Sequence, residues 1–320
     1  MTTRVRFGWL PTLQLLFTAG LIAGGCWLYF DARYSADAIR AEAVPTPHFH
    51  PQPAPTFNFP AGGRTIFPKH RLVALYGVPD APVLGALGQQ NMQASIQRVQ
   101  GLARQYQPYI KERVLPTFEL IATVASEFPT KNHDYSQEVN RTMLQQWITA
   151  ARQAGVYVVL DLQPGRTDFL TQAKQLTPLL EQPNVGLALD PEWRLKPHQV
   201  PLVQIGGVSI SEVNQTANWL AALTHRNNLP QKLFLLHQFR TDMLPDRQQL
   251  NTSHPELAYA IQMDGQGTQA EKRSTWQALL RQPPAKTKFG WKNFYVKDQV
   301  LLTPSQTMAV RPQPWYVSYQ

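Results

Sequence analysis

Residues 184–193 read NVGLALDPEW, a short apolar run that ends in two carboxylic acids. In a β-strand successive side chains alternate between the two faces, so Asp190 and Glu192 would share one face with a glycine and an alanine. Pro191 has no backbone N–H to donate, so regular strand pairing should stop there. The stretch therefore predicts a buried strand with both carboxylic acids at its carboxyl end, pointing the same way.

The chain around this strand alternates between strand-like and helix-like segments. Apolar runs typical of buried strands occupy residues 72–78, 118–125, 156–162, 185–189, 205–210, 233–239, 257–263 and 289–296. Helical periodicity is clearest in residues 92–106, 137–154, 169–180, 212–223 and 270–280. Eight strands alternating with helices over about 250 residues predict an α/β fold of the (β/α)8 TIM-type barrel class.

Two features bear on alternatives to this fold. An open, doubly wound sheet would normally carry a glycine-rich phosphate turn after an early strand, and the sequence has no such turn. Residues 312–319 are interpreted as an added strand or a closing tail. The closed barrel is therefore the favoured prediction, and its catalytic residues are expected at the carboxyl ends of the strands.

Composition narrows the class of protein. The 320 residues are 43% hydrophobic, which is ordinary for a globular protein with a substantial core. The net charge is +9, but the basic residues are scattered and are not interleaved with aromatic ones. The charge thus favours general affinity for anionic surfaces such as a cell envelope, and no nucleic-acid partner is expected.

The N-terminus carries a predicted targeting segment, residues 1–33. Arg4 and Arg6 precede an uncharged stretch, and residues 9–30 are long enough to span a bilayer. The basic residues ahead of it place the remainder outside the cytoplasm. An uncleaved signal anchor, a cleaved signal peptide and a lipoprotein signal remain open, because residues 23–26 (AGGC) resemble a bacterial lipobox with Cys26 as the acylated residue.

A proline-rich segment, residues 34–63, is predicted to be a semi-rigid linker between the membrane and a barrel domain of residues 64–320. Cys26 is the only cysteine, so the exported part has no disulfide, thiol nucleophile or cysteine-bound metal. The expected location is the extracytoplasmic face of the cell membrane.

Polar residues at the ends of other predicted strands would meet the 190–192 pair at one mouth of a barrel. Asp161, Gln163, Asp264 and Lys292 end three of these strands, and one of His237 and Gln238 must face inward. Loop capping, a turn or a core position would also explain several of them. We predict a substrate-binding set of Asp161, Gln163, Trp193, His237, Gln238, Asp264, Lys292, Tyr76 and Tyr295, the aromatic members stacking on sugar rings. Glu119 lies early in its strand and is interpreted as structural.

Asp190 and Glu192 are the predicted catalytic residues. Like charges this close raise one pKa, which leaves a proton donor beside an ionised partner. Glycoside hydrolysis requires that division of roles. The alternative is a buried structural pair neutralised by Lys292 or Arg194.

Residues 186–192 (GLALDPE) resemble the fourth-strand D-G-x-D-x-D-x-E motif of chitinase-type barrels. By that resemblance Glu192 is the general acid, and Asp190 orients the acetamido group of the substrate. The earlier acidic positions of the motif are Val185 and Ala188 here. Residues 189–192 also resemble the D-x-E of muramidase-type barrels. Both resemblances cover one strand and imply a polysaccharide or peptidoglycan-type substrate.

Most of residues 70–320 resemble a group of uncharacterised exported, lipoprotein-like proteins of actinobacteria and related bacteria. The resemblance rests on the segments FELIA (118–122), LDLQPG (160–165), ALDPEW (188–193), LPQKL (229–233), HQF (237–239) and DGQG (264–267). It implies export and a barrel-like domain, but it brings no established activity.

Standard motifs of other enzyme classes are absent from the sequence. It has no G-x-S-x-G elbow, no H-E-x-x-H and no Walker A loop, so no cofactor and no metal are expected. A glycoside-hydrolase-like protein is the prediction. The alternatives are a non-catalytic barrel that binds a glycan or a partner, and a metal-dependent phosphodiesterase using Asp161, Asp190, Glu192 and Asp264.

Overall fold

A computed structural model describes Phe57, Phe59 and residues 62–320. Within these residues eight parallel strands form a closed barrel. In chain order they are β1 (His70–Gly77), β2 (Arg113–Ala125), β4 (Tyr157–Leu162), β5 (Val185–Leu189), β6 (Lys232–Gln238), β7 (Leu257–Met263), β8 (Lys288–Asn293) and β9 (Tyr316–Tyr319). The short strand β3 (Ser136–Glu138) adds antiparallel to the end of β2.

The pairing of the first two strands closes the ring. Each strand pairs in parallel with the next, from β2 through β4 to β9, and β9 pairs with β1. β1 in turn pairs with β2 along its full length, from His70 opposite Arg113 to Gly77 opposite Leu120. A closed parallel ring excludes the open, doubly wound sheet and agrees with the predicted α/β barrel.

Helices cover the outside of the barrel. They are α1 (Met92–Tyr106), α2 (Arg141–Gln153), α3 (Phe169–Gln175), α4 (Thr177–Leu180), α5 (Ile210–Arg226), α6 (Gln269–Leu279) and α7 (Pro304–Met308). Most begin at a side-chain cap: Asn91, Asn140, Asp168, Ser209, Thr268 and Thr303 each accept a hydrogen bond from the backbone N–H three residues later. Such caps satisfy amides that have no partner inside the helix.

The single helix predicted over residues 169–180 is two helices. The break lies at Leu176. Pro178 lies in the first turn of the second helix, where its missing N–H costs no helical hydrogen bond. The helix predicted from residue 137 begins at Arg141, because residues 136–138 pair with β2 instead.

One predicted strand was wrong, and the tail replaces it. Residues 205–209 form a loop and Ile210 begins α5, while Tyr316–Tyr319 is the eighth parallel strand. In the loop, Gly206 donates a backbone hydrogen bond to Glu192 O, so it packs against the end of β5 rather than beside a strand. An apolar run of this length has no periodicity that separates a strand from a buried loop.

Two apolar cores lie on the two sides of the strands. The outer core lies between the strands and the helices and includes Phe118, Trp147 and Trp276. The inner core fills the lower half of the barrel, toward the amino ends of the strands. It contains Phe57, Phe59, Ile66, Leu72, Ala74, Leu115, Tyr157, Val159, Ala188, Leu233, Leu235, Ala258, Ala260 and Tyr316.

Phe57 and Phe59, which lie in the predicted linker, belong to the inner core. Both fall in the proline-rich segment, yet they are buried against Tyr157, with Phe59 also beside His70. Burial of two large aromatic rings stabilises their packing on the barrel floor. The domain therefore reaches back beyond residue 64.

No helix within the described residues is both long and apolar enough to cross a bilayer. The predicted targeting segment, residues 1–33 with Cys26, lies outside the described residues.

Candidate active site

Seven ionisable side chains converge in the upper half of the barrel. Alternation along parallel strands places every second side chain inside, and these seven come from the strands β2, β4, β6 and β8 and from the ends of β5 and β7. They are Glu119, Asp161, Asp190, Glu192, His237, Asp264 and Lys292, called here the mouth cluster. All but Glu192 are buried, and Glu192 is partly exposed.

His237 lies at the centre of the mouth cluster. Its Nε2 lies 2.6 Å from Glu119 Oε1, and its Nδ1 lies 3.1 Å from Asp264 Oδ2 and 3.7 Å from Asp190 Oδ2. Nε2 is hydrogen-bonded to Glu119, whereas Nδ1 lies within ion-pair distance of two carboxylates without a hydrogen bond, and these surroundings favour the protonated ring. Burial alone would lower the pKa of His237, but the charges of Glu119 and Asp161 raise it well above its ordinary value.

Lys292 neutralises Asp264. Its Nζ lies 3.0 Å from Oδ1 and 3.1 Å from Oδ2 of that carboxylate, and 3.7 Å from the centroid of the Tyr76 ring. Burial would raise the pKa of Asp264, but the charges of Lys292 and His237 hold it below its ordinary value. Asp264 is therefore an ionised residue that is already paired.

Asp161 is held by Tyr76, which lies on β1, the second strand along the barrel from β4. The Tyr76 hydroxyl donates to Asp161 Oδ2 at 3.0 Å and accepts from Gln163 Nε2 at 3.2 Å. The Gln163 side chain is itself fixed, because its Oε1 accepts from the Ala125 amide. Burial raises the pKa of Asp161 well above its ordinary value; His237 opposes this rise, and the charges of Asp190 and Glu119 add to it.

The turn after β5 carries the two predicted catalytic residues. Pro191–Trp193 forms a single 3-10 turn that places Glu192 at the mouth, and one oxygen each of Asp190, Glu192 and Asp264 lie within 4.8 Å of one another. The carboxyl groups of Asp190 and Glu192, on either side of Pro191, thus lie close together. Asp190 is buried and Glu192 is partly exposed to solvent.

Gly206 holds this turn in place. Its amide donates to Glu192 O at 2.7 Å, and a Cβ at this position would lie 2.4 Å from Arg194 O and 2.7 Å from Glu192 O. Only glycine permits such a close approach of two backbones. The Arg194 guanidinium pairs with both oxygens of Glu212 at the start of α5, which fixes the far side of the turn.

The pKa values of the pair differ in the sense that acid–base catalysis requires. Burial raises the pKa of Glu192 well above its ordinary range, and the negative charges of Asp190 and Asp264 raise it further. Burial also raises the pKa of Asp190, but the hydrogen bond and charge of His237 oppose that rise. Of the two, Glu192 is therefore the more readily protonated and Asp190 the more readily ionised.

Two groups of side chains have spacings that a metal ion could use. They are Asp161, Asp190 and His237, and Asp190, Glu192 and Asp264. A histidine ligand needs a free nitrogen lone pair, whereas the carboxylates around His237 raise its pKa and favour the protonated ring, which has none. The second group lies beside the Lys292 ammonium, which already occupies Asp264. The donor sets therefore fit a divalent cation poorly.

The remaining predicted site residues are divided between the mouth and the outside. Gln163 and Tyr76 belong to the mouth, and Trp193 is partly exposed beside Glu192. Gln238 faces outward, where its side chain bonds to Arg247 and to Arg240 O, because alternation turns it away from its neighbour His237. Tyr295 packs on Tyr319 in the outer layer, away from the cluster.

Glu119 is the site residue that sequence reasoning missed. It accepts from Tyr316 Oη at 2.9 Å as well as from His237. It lies in the middle of a 13-residue strand, and from that position alone we expected it to lie below the rim, away from the site. The strands of a barrel are staggered, and its register opposite Val159 and Tyr76 brings it under His237.

Comparisons with known proteins leave the family open. No protein-family model matches the chain, and no curated protein matches it. A solved structure described as a GH113 beta-1,4-mannanase aligns with 78% of this chain and 87% of that chain, at 10% sequence identity and a TM-score of 0.37. A TM-score this low carries no argument, so the barrel assignment rests on the strand pairing and the site on its own geometry.

Proposed function

We propose that this protein is a glycoside hydrolase that acts on cell-envelope or extracellular polysaccharide by carboxylate acid–base chemistry. One observation carries the proposal: Asp190 and Glu192 meet at the barrel mouth with their pKa values separated by the surrounding charges. Buried carboxylates with opposed environments are a device for running acid and base chemistry at one pH.

Glu192 is the general acid in this proposal. It reaches solvent, and its protonated carboxyl gives the proton to the glycosidic oxygen as the bond from that oxygen to the anomeric carbon breaks. Asp190, buried beneath it and beside the His237 imidazolium, stabilises the positive charge that develops on the sugar ring. A water molecule then adds to the anomeric carbon and returns its proton to Glu192.

Substrate contacts in the proposal come from the mouth cluster and the residues around it. Asp161, Gln163, His237, Asp264, Lys292 and Tyr76 bind or orient the sugar, and Trp193 offers a stacking surface at the rim. We further propose that the N-terminal segment tethers the domain at the extracytoplasmic face of the membrane. That part of the proposal rests on the basic residues and apolar stretch of residues 1–33.

The test uses the full-length protein with purified cell-wall and extracellular polysaccharides. Wild type should release new reducing ends, and Glu192→Gln and Asp190→Asn should release about 100-fold to 10,000-fold fewer per unit time. Glu138→Gln, a change of the same kind on exposed β3, should match wild type. Turnover by Glu192→Gln at the wild-type rate would overturn the assignment, and loss of wild-type turnover with a chelator would favour the phosphodiesterase.

A non-catalytic glycan- or partner-binding barrel is the second candidate. The burial of nearly the whole mouth cluster favours it, because Asp161, Asp190 and His237 are at most 1% exposed. Tight polysaccharide binding by wild type and Glu192→Gln alike, with no product from either, would establish this candidate instead.

A further inference from the structure

Negative charge exceeds positive charge in the mouth cluster. It holds five carboxylic acids and two bases, and the two bases are already engaged. Lys292 lies on both oxygens of Asp264, and His237 lies between Glu119 and Asp264. Among the described residues, Asp161 and Glu192 have no ion pair, and Asp190 only shares His237 with Glu119 and Asp264, at 3.7 Å.

Two of these three carboxyl groups also have an unused oxygen. Within the described part of the chain, Asp161 Oδ1 and Asp190 Oδ1 are buried and have no hydrogen-bond partner. One carboxylate oxygen of each residue lies within 4.8 Å of the other and of a ring nitrogen of His237. A buried acceptor without a donor carries a desolvation cost, so two neighbouring carboxyl groups that each keep such an acceptor indicate a site for a donor-rich group.

A primary ammonium matches these atoms better than other sugar substituents. It brings three N–H donors and one positive charge, whereas a hydroxyl brings one donor and no charge. An acetamido group would bring one N–H donor and a carbonyl oxygen that the carboxylates repel. The nearby imidazolium of His237 is offset by Glu119 and Asp264, so it opposes a monocation less than it opposes a metal ion of twice the charge.

We infer that the oxygens of Asp161 and Asp190 bind the protonated amine of an amino sugar, so that the substrate is a polysaccharide carrying unacetylated glucosamine-type residues. The inference rests on the proposed glycoside hydrolase function, of which it names the substrate class. Without a ligand the excess negative charge is relieved by protons, in line with the raised pKa of Asp161. The substrate ammonium takes the place of such a proton.

The test measures binding of three β-1,4-linked trimers to the full-length protein by calorimetry in mildly acidic buffer. The probes are the glucosamine trimer, the N-acetylglucosamine trimer and the glucose trimer. Charge-assisted hydrogen bonds to two carboxylates should make the first bind about tenfold to 100-fold more tightly than the other two. Equal affinity for the three trimers would overturn the inference.

Variants separate the ammonium site from a general effect of charge. Asp161→Asn should remove the preference for the amine, whereas Glu138→Gln, on an exposed carboxylate paired with Arg141, should keep it. A thermal unfolding curve checks that Asp161→Asn folds; if it does not, Tyr76→Phe, which removes only the hydroxyl that orients Asp161, should reduce the preference in its place. A retained preference in folded Asp161→Asn would contradict the inference.

The outcomes also separate this inference from the proposed function. Selective binding of the glucosamine trimer without cleavage would support the ammonium site and remove the hydrolase. Cleavage of neutral polysaccharide with no preference for the amine would support the hydrolase and remove the ammonium site. Tight binding of Mg²⁺ or Ca²⁺ alone, lost in Asp190→Asn, would assign the oxygens to a metal and overturn the inference.

Discussion

The upper and lower halves of the barrel interior are built by the same eight strands but have opposite chemistry. The lower half is an apolar core around Tyr157, closed from below by Phe57 and Phe59. The upper half holds the mouth cluster, where His237 alone faces three carboxylates. Burying charge costs stability unless every group is paired, whereas burying rings and aliphatic chains provides it. The lower half thus stabilises the fold, whereas burial of charge in the upper half, which holds the candidate site, lowers the free energy of unfolding.

The largest effect is expected from breaking the charge network of the upper half. His237→Leu leaves Glu119 and Asp264 without their shared cation, which should cost about 3–5 kcal/mol of unfolding free energy in denaturant titrations. The activity should fall with it, because Asp190 loses its neighbouring charge.

The pH dependence of the unfolding free energy tests whether the loss of stability in His237→Leu is caused by the loss of charge. The pKa of folded His237 is raised above its unfolded value, so its stabilisation is fully present below about pH 6.5 and is lost as pH rises through the raised value. The gap between wild type and His237→Leu should therefore narrow at alkaline pH. A gap that stays constant with pH would show that packing, rather than charge, is the cause.

An effect of similar size, but on stability alone, is expected in the lower half. Tyr157→Ala removes a fully buried ring that packs on Phe57 and Phe59, which should cost about 3–5 kcal/mol. Tyr157→Phe is the matched control. It keeps the ring and removes only the hydroxyl that accepts from the Leu233 amide, at a cost of about 1–3 kcal/mol.

If the two halves have separate roles, Tyr157→Ala should keep the wild-type rate per folded molecule in cool conditions. A fall in that rate, measured with the proposed substrate, would show that the floor of the barrel also sets the geometry of the mouth.

A smaller effect is expected at the junction of the fold and the site. Gly206→Ala should displace the turn after β5, because the added Cβ meets the carbonyl oxygens of Arg194 and Glu192. Moving a catalytic group by about 1 Å costs up to about 100-fold in rate. We therefore expect a fall in kcat with an unfolding transition that shifts by only a few degrees. Gly155→Ala, where a Cβ meets open space but φ is +69°, serves as the control for backbone strain without displacement.

The smallest effect concerns a buried lysine outside both halves. Lys232, at the start of β6, donates to the carbonyl oxygens of Gln182 and Val185, and burial lowers its pKa to about 7. The unfolded chain then binds more protons than the folded one between about pH 7 and 10, so stability should rise with pH by at most about 1.4 kcal/mol per unit. Lys232→Met should flatten that slope in thermal unfolding at several pH values; an unchanged slope would assign it to other groups.

Sequence reasoning predicted the fold better than it predicted the membership of the site. The alternation of strand and helix patterns predicted the barrel, and single-face reading of β4, β5, β7 and β8 brought Asp161, Asp190, Asp264 and Lys292 together. It failed where no local pattern carries the answer. Residues 205–210 have the apolar pattern of a strand, yet residues 205–209 form a loop, because Gly206 lets the chain lie against the turn after β5.

The sequence by itself determined which side chains share a strand face and where β4 and β5 end, because alternation and proline are local properties of the chain. Only the tertiary structure decided how far along each strand the barrel layers lie. The stagger of the strands placed Glu119 under His237, turned Gln238 outward and closed the ring with Tyr316–Tyr319. These outcomes depend on register between segments that are distant in sequence, and register is set by packing across the barrel.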